Sequence, residues 1–153
     1  TILLLMALLL SGCFATNGPK FTQVDAFPPS KALVYIYRPR QLTGSAVSYT
    51  VHANDTPVVT LRAGGFFPYI AEPGDTTFWA KTEAPASTEK ALKAGKVYYL
   101  RGDINLGLWV GRPELVFMVE SAAMPEIQKC IQLKTIEEEG ELQSNKERRI
   151  HWR

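Results

Sequence analysis

Ala32-Leu33-Val34-Tyr35-Ile36-Tyr37-Arg38-Pro39 is the stretch from which the fold can be read. Its first six residues are apolar or aromatic, and Val34, Tyr35, Ile36 and Tyr37 are types that favour extended backbone. Successive side chains of a strand point to opposite faces, so an unbroken apolar run means that both faces are covered. The stretch is therefore expected to be a central strand, ended by Arg38-Pro39.

Outward from it the pattern stays β. Val47, Tyr49 and Val51 alternate with Ser48, Thr50 and His52, as a strand with one wet face requires. The Asn54-Asp55-Thr56-Pro57 turn joins it to Val58-Val59-Thr60-Leu61, so residues 46–61 form a hairpin. Gly64-Gly65 lacks the Lys-Ser/Thr of a phosphate loop and is expected to be a sharp turn or bulge with positive φ. Phe66 to Ala71 is a strand whose Pro68 argues for an edge. The Pro73-Gly74 turn leads to a strand over residues 76–82. Residues 84–88 are expected as a loop, followed by a short strand over 89–93. Val97 to Ile104 and Leu115 to Val119 complete the series. Turn signals recur about every ten residues, the spacing of a sandwich or barrel. The expected fold is all-β: one antiparallel β-sandwich of about seven or eight strands, a short C-terminal helix from Ser121 to Cys130, and an N-terminal signal and tether. Ser121 is the expected helix cap.

The ends differ in character. Residues 1–12 form an apolar run closing on Leu10-Ser11-Gly12-Cys13. A run of about ten apolar residues is half what a membrane span needs, and suits the apolar core of an export signal. The basic region of such a signal is expected to precede Thr1. Leu10, Ser11 and Gly12 match the peptidase recognition pattern of bacterial lipoproteins, and Cys13 is the expected lipidation site. Phe14 after the cysteine favours the outer membrane, periplasmic face, over retention. Residues 13–31 are expected to be the lipidated cysteine and its tether, 32–133 the β-sandwich, and 134–153 a charged, mobile or loosely helical tail.

The chain has 153 residues, ample for a core without disulfides, and a formal net charge of +2. No basic block stands inside the expected domain, so nucleic acid is not an expected partner. Of two cysteines, lipidation uses Cys13 and leaves Cys130 without an internal disulfide partner; it is expected to be a small buried residue.

Val34-Tyr35-Ile36-Tyr37-Arg38-Pro39, Gly64-Gly65-Phe66-Phe67, Glu72-Pro73-Gly74 and Ala94-Gly95-Lys96-Val97-Tyr98-Tyr99-Leu100-Arg101 occur in an order that resembles the uncharacterised bacterial lipoproteins of domain-of-unknown-function family 2846. The resemblance spans roughly residues 30–130 and the lipidation motif. It implies an envelope lipoprotein with a small β domain and supplies no catalytic residues.

Candidate chemistry is sparse. His52 lies on a polar strand face and His151 in the tail, so no two-histidine metal site is expected. Asp103 and Asn105 are expected to cap a turn. Glu72, Asp75 and Glu83 form no readable carboxylate pair, and no serine has a nucleophile context. Trp79 is expected in the core. Phe66, Phe67, Trp109 and Arg112 form the candidate binding surface, since aromatics and arginine anchor protein and sugar contacts. No catalytic residue, metal or cofactor is expected. The expected role is a non-catalytic interaction or structural module, held to the membrane by its lipid and meeting an envelope protein. The alternative is a small-ligand or glycan module built on Phe66, Phe67 and Trp109.

Overall fold

The computed structural model describes residues 18–151. Nine strands and two helices follow in order: β1 Ala32–Arg38, β2 Tyr49–Ala53, β3 Thr56–Leu61, β4 Gly65–Ala71, β5 Gly74–Lys81, β6 Pro85–Leu92, β7 Val97–Asn105, β8 Arg112–Met118, α1 Glu120–Ile127, β9 Ile131–Gln132 and α2 Ile136–His151. They build a five-stranded sheet, β8-β7-β1-β4-β9, and a four-stranded sheet, β3-β2-β5-β6. The fold is mostly β, in two packed sheets.

β1 is the middle strand of the larger sheet, and all seven of its residues are buried. Its two faces serve two cores. Ala32, Val34 and Ile36 meet Val51, Val59, Leu61 and Phe78 between the sheets. Leu33, Tyr35 and Tyr37 face the other way, where Phe66, Tyr99, Ala123, Ile127 and Cys130 complete a second cluster. That outer cluster is roofed by α1 and by Phe21, Val24 and Phe27 of the chain ahead of β1. Described residues of the expected tether are thus packed: Lys20 bridges Ile131, and Phe21 meets the rings of Tyr35 and Phe66 edge-on at 5.3 and 5.1 Å.

The antiparallel expectation holds for most pairs and fails at two. β1 runs parallel to β7, with Tyr37 opposite Arg101, and β4 runs parallel to β9. At the end of β1 the chain leaves for the other sheet. Arg38 is 1 % exposed, and its guanidinium donates to the carbonyls of Gly44 and Val47 at 2.6 Å each. The loop is curled around this side chain and delivered into the other sheet, so β1 cannot form a hairpin with β2 and takes β4 and β7 as neighbours.

Three local expectations also change. Residues 85–88, expected as loop, belong to β6, because each residue of β5 from Gly74 to Lys81 has a partner there. The cap of α1 is Val119, without a side-chain bond, and Ser121 lies inside the helix. Trp79 is not core: it lies half-buried and stacks on His52, with ring centroids 3.9 Å apart, and its Nε1 donates to the Asn54 carbonyl. The charged tail forms α2, started by a reciprocal cap in which the Thr135 amide donates to Glu138 and the Glu138 amide to Thr135 Oγ1. Pro68 does sit at an edge, since β9 pairs only Gly65 and Phe66. Gly64 turns with φ 76°, and a Cβ at Gly65 would meet Leu133.

Replacing Arg38 by methionine leaves two carbonyls without their donors. Urea denaturation is expected to show a loss of roughly 2 kcal/mol or more. Arg38→Lys is expected to recover only part of it, because one ammonium lacks the fork that reaches both oxygens.

Candidate functional site

The end of the larger sheet at Arg38 gathers the features that look outward. β7 runs parallel to β1 and continues past Arg101 to Asn105. The loop 106–111 between β7 and β8 therefore projects from the same end as the β1–β2 loop. Leu106, Leu108 and Trp109 are 85, 82 and 90 % exposed, Val110 is half exposed, and Leu42 of the β1–β2 loop is 98 % exposed. Single exposed apolar residues are ordinary on any surface, but a contiguous group points to contact with a partner.

This loop is held from the other sheet. The Glu83 carboxylate, in the turn between β5 and β6, accepts three consecutive amides: Leu108 at 2.9 Å, Trp109 at 2.8 Å and Val110 at 3.2 Å. Arg112 Nε lies 3.6 Å from the same carboxylate, and Thr82 Oγ1 donates to the Gly111 carbonyl at 2.5 Å. The Trp109 amide does most to hold the Glu83 carboxyl below the ordinary glutamate range. Desolvation opposes it, and the Val110 and Leu108 amides and Arg112 add to the lowering. Two glycines make the clamp possible. A side chain at Gly107 would collide with Glu83, and Gly111 has φ 98° with Ile104 against it. The loop backbone is satisfied while its apolar side chains are left outside.

A second polar group braces the same end. Glu126 of α1 accepts from the Tyr37 hydroxyl at 2.8 Å and stands 3.1 Å from Arg101 Nε, off the axis of that N–H. Arg101 Nη2 reaches Asp103 at 3.3 Å. The Gln41 amide lies between them, its oxygen toward Arg101 and its nitrogen toward Asp103. Burial, then Glu126, raises the Tyr37 phenol. Cys130 packs beneath, its Sγ 3.6 Å from the Arg38 carbonyl; burial pushes its thiol up to about 12. Buried and packed in the outer core, it is a structural thiol. Asp103 accepts from the Ile104 amide inside β7 and Asn105 donates to Glu114, so neither side chain caps the following turn as the sequence suggested.

The four residues of the candidate surface divide. Trp109 and Arg112 meet through Glu83. Phe66 is 2 % exposed and belongs to the outer core under Phe21, which corrects its assignment as a binding residue. Phe67 faces the inter-sheet core and is half-buried. Phe66 and Phe67 are adjacent in a strand, so they cannot share one groove with Trp109. Leu10, Ser11, Gly12 and Cys13 lie outside the described residues. Glu83, Leu42, Leu106 and Leu108 were missing from the sequence-based surface; the only local cue was Leu-Gly-Leu-Trp-Val between turn residues. His52 has its Nδ1 buried without a partner beside Trp79. Among the described residues no group of three metal-ligating side chains converges.

At the opposite end a cleft of about 450 Å³ is lined by Val24, Tyr35, Lys90, Tyr98, Tyr99 and Glu120. Its hydroxyls are already engaged. Tyr35 accepts from the Val24 amide, Tyr98 from the Lys93 amide, and Tyr99 donates to Glu120.

The Glu83 clamp has a pH signature. Its folded pKa is depressed, so its contribution is complete above the ordinary glutamate value of about 4.3 and is lost as pH falls through the lower folded value. The NMR amide shifts of Leu108, Trp109 and Val110 are expected to titrate together with a midpoint below that value. In Glu83→Gln the shared titration is expected to vanish and the three amides to exchange faster with solvent.

No curated protein matches this chain, and no solved structure does. A family model described as protein of unknown function (DUF2846) matches residues 28–127, which take in β1 to β8 and the whole of α1. The chain belongs to the DUF2846 family.

Proposed function

We propose that this protein is a lipid-anchored, non-catalytic module of the bacterial cell envelope that acts by surface contact through the Arg38 end of its domain. One observation carries the contact reading: Leu106, Leu108 and Trp109 stand exposed on a loop whose backbone is clamped by Glu83. A clamped loop loses little conformational freedom when it is covered, so contact is less costly than for a slack one. The anchor reading rests on Leu10-Ser11-Gly12-Cys13 and the apolar run before it. An outer-membrane location, facing the periplasm, follows from Phe14 after that cysteine. The ligand alternative has less support, because Phe66 is in the core and the aromatic cleft has its hydroxyls occupied internally.

Metabolic labelling with an alkyne palmitate is expected to mark the wild type and not Cys13→Ala; label on that variant would end the anchor reading. A photo-crosslinking residue placed at Leu108 in cells is expected to give adducts that one at exposed Ser87 does not. Equal yields from both positions would remove the contact surface. Leu106→Ser with Leu108→Ser is expected to leave stability within about 0.5 kcal/mol, as for ordinary exposed positions.

A further inference from the structure

We infer that α2 is a self-pairing helix, docking antiparallel on α2 of a second copy of this chain. The inference needs neither the anchor nor the contact surface at the Arg38 end. α2 stands clear of the domain after its first turn. Ile136 and Glu139 are half-buried, and Glu139 pairs with Arg62, just after β3, at 2.9 Å. From Gly140 to Ile150 every residue is exposed, Leu142 and Ile150 at 50 and 65 %. A polar helix standing in water is ordinarily held by opposite charges three or four residues apart. Within α2 no Glu has a Lys or Arg at either spacing. Like charges meet there instead, as at Glu137 and Glu141 or Lys146 and Arg149, which costs stability. The helix dipole favours acids in the first turn and bases in the last, but its effect fades within a turn. Glu141 and Lys146 lie between those turns.

The missing charges are those of the same helix reversed. Glu137, Glu138, Glu139 and Glu141 fill the first half of α2, and Lys146, Arg148 and Arg149 the second. A parallel pair would set acid on acid, so charge decides for the antiparallel one. Glu139, Leu142, Lys146 and Arg149 follow at intervals of three and four, so they share one stripe, with Ile150 beside it. A two-fold axis crossing α2 at the level of Ser144 sets Glu139 opposite the second copy's Arg149, and Leu142 opposite the second copy's Lys146. The stem of that lysine covers the leucine while its ammonium stays in water. Glu139 keeps Arg62 on Oε1, and a carboxylate has room for a further donor. Each domain holds the start of its own helix, so the two domains lie at opposite ends of the pair. The same patch is used on both copies, which stops the association at two. One helix face is a small interface, below the roughly 1,000 Å² of stable assemblies, so the pairing is reversible.

The test uses the full chain in cells. Two copies with different tags are expressed together, one carrying a photo-crosslinking residue at Leu142. The expected adduct carries both tags and joins α2 to α2. Lys146→Glu with Arg149→Glu in both copies is expected to lower its yield about tenfold, and so is Glu139→Lys with Glu141→Lys in both. One copy of each variant, expressed together, is expected to restore the wild-type yield, because an acidic helix then meets a basic one. That recovery also shows that neither variant has lost its helix. Absence of a two-tag adduct, an adduct to a different protein in its place, equal yields with and without charge reversal, or no recovery in the mixed pair would each overturn the inference.

Discussion

The guanidinium of Arg38 decides how the two sheets are joined. Ionised groups are costly to bury, and among the described residues no carboxylate pairs with this one. Its charge is instead spread over the Gly44 and Val47 carbonyls and the face of Tyr49, whose ring centroid is 5.6 Å away. Those three residues bracket the passage from the first sheet to the second. Tyr49 closes the circuit by donating to the Asp103 carbonyl of β7. Removing the guanidinium would leave the crossing loop without its internal frame, and β2 without a fixed point of arrival.

β1 needs this frame because both of its faces are apolar, and a two-sheet sandwich alone covers only one. The second cover comes from α1 and the strap ahead of β1. Their packing is polar at the margins: Tyr35, Tyr37 and Tyr99 each bury a ring and send a hydroxyl to Val24, Glu126 and Glu120. The rings of Tyr35 and Tyr99 stack at 5.5 Å. Tyrosine suits such a face, because its body fills the core and its tip reaches a partner at the rim.

Legibility in the sequence follows the range of each cause. β1, β2, β3, β4, β5, β7 and β8 were visible because alternation and turn residues act within a few positions. β6 was half missed: Pro85-Ala-Ser-Thr has little β propensity, and pairing with β5 makes it a strand. The parallel pairs were invisible, since β1 and β7 are separated by five strands and meet only through long-range pairing. The strap carried a faint signal, Phe21, Val24 and Phe27 at intervals of three, which suits an extended chain better than a helix or a flat strand. Thr135 to Glu138 is a capping box that announced α2, but it was submerged in a charged tail. At the candidate surface, Trp109 and Arg112 were legible as types. Glu83 was not, because a carboxylate that binds backbone amides far away in the chain leaves no mark in its own neighbourhood.

Glu83 also explains how the exposed tip is kept. An apolar loop left to itself would lower its free energy by folding its leucines against the nearest core. Three amides held by one carboxylate oppose that collapse, since turning Leu108 or Trp109 inward would break bonds to a charged acceptor. Gly107 lets the carboxylate approach, and Gly111 lets the chain return to β8 without strain. The same device neutralises the one acidic side chain nearest the tip. Rigidity, exposed apolar surface and shielded negative charge thus arise from a single contact between the two sheets. That contact depends on the sheets being held in register, and hence on the crossing that Arg38 secures.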